Sequence, residues 1–103
     1  RRSKVNAEVS YQNAYIVLNQ ELHEVEHDLF VLGQQEPLRR AQSDLSRQRF
    51  EMALTAFEVG ETTLAQTVTA QQGAQESDFS LQMLLLERER LITEFNQLIG
   101  VLP

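Results

Sequence analysis

The stretch Phe57-Glu-Val-Gly-Glu-Thr-Thr-Leu-Ala-Gln66 decides how this chain of 103 residues folds. Gly60 suits the left-handed backbone conformation that closes a helix C-terminus. Thr63, followed three residues later by Gln66, matches a capping box. In that motif a hydroxyl and an amide side chain satisfy two orphan backbone donors of a new helix. A helix end and a helix start so close together predict a tight turn between antiparallel helices.

Outward from the turn, helix formers dominate. Leu, Glu, Gln, Ala, Arg and Met fill 57 positions, against four Gly and two Pro. A sheet protein would need turn residues about every ten positions, and 42% apolar residues are too many for a disordered chain. Upstream, Tyr11, Tyr15, Leu18, Leu22, Val25, Leu29 and Leu32 follow alternating steps of four and three, a heptad seam. Pro37 lacks an amide hydrogen and crowds the preceding turn, so a kink or stop is expected at Gly33–Pro37. Beyond it Leu38, Ala41 and Leu45 resume the spacing in a slipped phase, since six residues separate Leu32 from Leu38. Phe50, Leu54 and Phe57 carry the stripe to the turn. Downstream, Leu64, Val68, Ala70 and Ala74 form a lean stripe beside Gln71, Gln75 and Asp78. A wide one follows in Leu81, Leu84, Leu85, Leu91, Ile92, Phe95, Leu98 and Ile99.

The expected fold is all-α: one long antiparallel helical hairpin, coiled-coil-like, with arms over 3–58 and 63–99 and a tip at 59–62. As continuous helices the arms would reach about 84 Å and about 54 Å. The longer arm would overhang with Tyr11, Tyr15 and Leu18 uncovered. Either the chain folds back at Gly33–Pro37 into a three-helix bundle, or another chain covers the seam. A heptad sustained over three repeats favours the second outcome.

Composition also excludes functions. With no Cys, a disulfide scaffold and a Cys-based zinc site are ruled out. No apolar run approaches the length of about 18 residues needed to span a bilayer, and the polar Arg1–Asn6 segment is not expected to be part of a secretory signal. A net charge of −6, from 15 acids and 9 bases, disfavours nucleic acid as a partner. Acidic Glu21, Glu24, Glu26 and Asp28, and basic Arg39, Arg40, Arg47 and Arg49, read as solvated helix faces with local ion pairs.

His23-Glu-Val-Glu-His27 fits the H-E-x-x-H pattern, in which two imidazoles on one helix face bind zinc and the glutamate polarises a water. Such an enzyme needs a third ligand and a substrate cleft. The extended metzincin pattern would place Gly at position 30, where this chain has Phe30. No catalytic activity and no cofactor are expected, and His23 and His27 remain only as candidate metal ligands.

Four segments together resemble a known family. Glu24-Val-Glu-His-Asp-Leu29, Ala56-Phe-Glu-Val-Gly-Glu-Thr-Thr-Leu64, Ala70-Gln71 and Phe95-Asn-Gln-Leu-Ile-Gly-Val-Leu-Pro103 resemble, in order and spacing, the C-terminal half of the outer-membrane efflux protein (TolC) family. The likeness runs from about Asn6 to Pro103. It implies a trimeric export duct in the outer membrane and periplasm of a Gram-negative cell, with this chain as the periplasmic hairpin of the second repeat. Membrane contact would come only through parts outside this chain. It further implies that drugs, metabolites or metal ions pass unchanged through the lumen. The tip residues Phe57, Val59, Gly60, Glu61 and Thr62 would dock a periplasmic adaptor protein of a pump with an inner-membrane component, and Gln66 would face the aperture.

Two departures from the family stand out. Some members close the tip with a basic residue two positions past the glycine and an acid one turn further on. Here those positions hold Thr62 and Gln66, which cannot form a salt link. A break such as Gly33–Pro37 is also unusual in a duct helix. The alternative is a structural or adaptor-type helical hairpin that mediates protein–protein assembly. Leu38-Arg-Arg-Ala-Gln-Ser-Asp-Leu45 looks like an adaptor's coiled-coil arm, although the adaptors' Arg…Leu…Ser tip pattern is missing around Gly60.

Overall fold

A computed structural model describes residues 2–102, with side chains from Lys4 onward. Two helices make up the chain, α1 (Arg2–Glu58) and α2 (Leu64–Val101), and no strand occurs among the described residues. They pack against each other as an all-α helical hairpin. α2 reaches two residues beyond the expected end at 99, and it starts at Leu64 because Thr63 is the residue that caps it.

Pro37 does not stop the helix, and the alternative of a fold-back into a three-helix bundle does not occur: α1 runs uninterrupted through Gly33–Pro37. The physical reason lies in the residue one turn earlier. The proline ring crowds the carbonyl of residue i−4 and leaves it without a partner, and here that carbonyl belongs to Gly33. Both residues are exposed, so water can reach the freed carbonyl, and Gly33 brings no side chain to the crowding. The intrinsic cost is still about 3 kcal/mol, and it is offset by packing on both sides.

That packing falls into two compact units, Arg1–Val31 with Arg88–Pro103 and Leu32–Glu87. In the first, α1 contributes Leu18, Leu22, Val25 and Leu29, and α2 contributes Leu91, Phe95 and Leu98, with Leu102 just past its end, all buried or half-buried. This seam is mostly apolar, with Asn19 and Glu94 the polar residues half-buried in the same unit. In the second, the covered α2 positions include Thr67, Ala70, Gly73, Ala74, Ser77, Ser80, Leu81 and Leu84. The covered α1 positions there are Leu32, Glu36, Arg39, Ser43, Ser46, Phe50 and Ala53. The middle of that seam is therefore polar, and side-chain hydrogen bonds cross it. The Arg39 guanidinium donates to the Ser80 hydroxyl, and the Ser46 and Ser77 hydroxyls lie 2.9 Å apart. As α1 advances from 39 to 46, its partner on α2 retreats from 80 to 77, the signature of antiparallel helices.

The covered positions of α1 keep steps of four and three from Leu18 to Ala53. The phase slip expected at Pro37 is absent. Leu38, Ala41 and Leu45, expected to continue the core, are exposed instead, Leu38 by 61% and Leu45 by 48%. Tyr11 and Tyr15, in register with the seam, are exposed as well. α1 has 57 residues and α2 has 38, so α1 has 19 residues more than α2 can match.

The backbone makes opposite demands at three positions. Gly60 sits at φ +79°, where a Cβ costs about 1–2 kcal/mol. Gly73 is helical with open space around it. Gly60→Ala should lower stability by about 1 kcal/mol or more, whereas Gly73→Ala should raise it by about 1 kcal/mol and Pro37→Ala by up to about 3 kcal/mol. Urea unfolding followed by circular dichroism measures all three.

Candidate docking tip and outer stripe

The turn is built from two caps back to back. At the end of α1 the Glu61 amide donates to the Ala56 carbonyl at 2.8 Å, and the Gly60 amide donates to the Phe57 carbonyl at 3.0 Å. These are the two bonds of a Schellman motif, with Gly60 as its left-handed residue. At the start of α2 the Gln66 amide donates to Thr63 Oγ1 at 3.1 Å, and Gln66 Oε1 accepts from the Thr63 amide at 3.4 Å. The expected capping box is thus formed in both directions. Thr67, the one buried polar residue among those described, directs its hydroxyl to the Thr63 carbonyl at 3.0 Å.

These caps hold the tip side chains outward. Val59 is 66% exposed and Phe57 40%, Gly60 and Glu61 are exposed, and Thr62 is half-buried. The Thr62 hydroxyl donates to Gln66 Oε1. The pair that cannot form a salt link is therefore joined by a neutral hydrogen bond, and the Gln66 side chain serves the cap while its residue stays exposed. An open groove beside the tip is lined by Gln48, Glu51, Met52, Thr55, Ala56, Val59 and Glu61.

Sequence reasoning missed the surface that continues from this tip. Leu38, Leu45 and Met52 on α1, each one position before a seam residue, recur every seven residues with Val59 in the turn, and all four are exposed, Met52 by 70%. On α2, Phe79, Met83 and Leu86 follow steps of four and three on an exposed face, at 66%, 50% and 62%. Each helix of the Leu32–Glu87 unit therefore carries apolar residues outside the seam as well as within it. The signal was legible as a seven-residue repeat, but hydrophobicity alone could not tell the outer stripe from the inner one.

His23 and His27 are exposed on α1, with His23 Nδ1 3.7 Å from the Glu26 carboxylate. No group of three or more metal-ligating side chains occurs among the described residues. No described helix is long and apolar enough to cross a membrane. No family model, curated protein or solved structure matches the chain.

Thr63→Ala removes the acceptor for an orphan amide and should cost about 1 kcal/mol. Gln66→Ala should cost less. The double variant should cost less than the sum, because both side chains secure the same helix start. Thermal unfolding of the four proteins checks this.

Proposed function

We propose that the chain forms part of the periplasmic α-helical wall of a trimeric outer-membrane efflux channel of the TolC family. In this reading the duct is passive, it exports drugs, metabolites or metal ions, and its hairpin tip docks an adaptor protein. The observation that carries the reading is the outer stripe of Leu38, Leu45 and Met52 on α1. A helix in a closed wall has a neighbour on each side, so it needs apolar residues on two faces. A helix of an isolated hairpin needs one.

The exposed area supports the same reading. The chain exposes 8014 Å², whereas a compact monomer of its mass would expose about 5,900 Å². That surface includes Met52, Phe79 and Leu86, exposed by 70%, 66% and 62%, and exposed apolar patches mark sites of association. At the tip, Phe57 and Val59 beside Glu61 offer an apolar contact with a charged rim, the composition of a docking surface. The sequence likeness at Ala56–Leu64 and Phe95–Pro103 supplies the family.

Two substitutions in the whole protein that carries this hairpin separate wall from tip. Leu45→Glu should reduce the trimer recovered from membranes by cross-linking. Val59→Glu should leave the trimer intact while abolishing co-purification with the adaptor and raising susceptibility to the exported compound. Cytosolic fractionation of the protein, or unchanged susceptibility with both variants, would contradict the proposal.

A further inference from the structure

We infer that His23 and His27 form a two-imidazole chelate for a borderline divalent transition-metal ion (Cu²⁺, Ni²⁺ or Zn²⁺) on the outward face of α1. The orientation follows from the seam. Val25 is 4% exposed and points into the hairpin. Residues two positions before and after it on a helix lie about 160° away on the opposite side, which is where both exposed histidines stand. Four residues apart on an uninterrupted helix, their Cβ atoms are about 5–6 Å from each other. Both Nε2 atoms can then reach one ion at bond lengths of about 2.0–2.1 Å.

Three further features favour the ion. Glu26 lies on the Nδ1 side of His23 at 3.7 Å, so Nε2 is the nitrogen left for the metal, and the nearby carboxylate adds negative charge beside the pair. Glu24, one turn before His27, and Glu21 and Asp28 close by add negative charge without basic neighbours between positions 5 and 38. The pair sits on an exposed face with no cleft, and with two protein ligands the remaining positions on the ion fall to water. Imidazole donors select Cu²⁺, Ni²⁺ and Zn²⁺ over Mg²⁺ and Ca²⁺. This inference stands apart from the efflux reading, since it needs only α1 and its seam.

The test is calorimetric titration of the 103-residue chain with ZnCl₂ at neutral pH, with MgCl₂ as the control. The decisive variant combines His27→Gln with Gln34→His, which keeps composition and charge but moves the second imidazole about 10 Å further along the helix. A tethered second ligand gains by effective concentration, so the swap should weaken Zn²⁺ binding at least about ten-fold. His23→Gln should cause a similar loss, with helix content by circular dichroism unchanged in both. One-to-one binding that both variants weaken would support the chelate. Equal affinity in the parent and the swapped variant, or no heat beyond that of MgCl₂, would overturn it.

Discussion

The seven-residue phase of the seam on α1 is the constraint on which the other features depend. Burial at Leu18, Leu22, Val25, Leu29 and Leu32 sets the rotation of the helix about its axis. The same phase continues through Glu36, Arg39, Ser43, Ser46, Phe50 and Ala53. A helix has only one rotation, so every other residue is assigned by it. Leu38, Leu45 and Met52 are turned outward although they are more hydrophobic than the residues that take their place inside. His23 and His27 are turned outward because Val25 is turned inward.

What keeps the phase through the weakest stretch is chemistry that hydrophobicity does not record. Between Leu32 and Phe50 the α1 seam holds no apolar side chain. Half-buried polar groups are tolerable there because they find partners across the seam, Arg39 with Ser80 and Ser46 with Ser77. A small residue of α2, Ala74, lines a groove with Ser43 and Phe50 beside them. Hydrogen bonds of this kind add little net stability, about 1 kcal/mol each, but they are specific about register in a way that leucines are not. Local ion pairs on the solvent side, such as Arg47 with Asp44 at 3.2 Å and Arg90 with Glu94 at 3.1 Å, support the helices without choosing a partner.

The turn was legible in the sequence because capping is local chemistry. Gly60, Thr63 and Gln66 do in the structure what their types and spacing require, and no distant contact is needed to place them. The apolar seam from Leu18 to Leu32, and Leu81, Leu84, Leu91 and Leu98 on α2, were legible for a similar reason: there the heptad and the hydrophobic pattern coincide. Between Gly33 and Ser46 they part company. Reading Leu38, Ala41 and Leu45 as core followed hydrophobicity to the wrong face, and it turned a continuous seam into a phase slip. Pro37 misled in the same direction, because a propensity of about 3 kcal/mol is decisive for an isolated helix but not for one held on both flanks.

Every outward-facing residue of α1 is placed by that unshifted seam, and the chain has no cysteine of its own to confuse a cross-link. A disulfide requires Cβ atoms about 3.5–4.5 Å apart, a demand that Ser46 and Ser77 approach with their hydroxyls at 2.9 Å and that Leu45, on the outer face, does not. Mild oxidation of the Ser46→Cys, Ser77→Cys variant should give a quantitative cross-link within one chain, while the Leu45→Cys, Ser77→Cys variant should give none. An intramolecular disulfide in the Leu45 variant, with none in the Ser46 variant, would show that the phase slips at Pro37 and that the outer stripe belongs to the core.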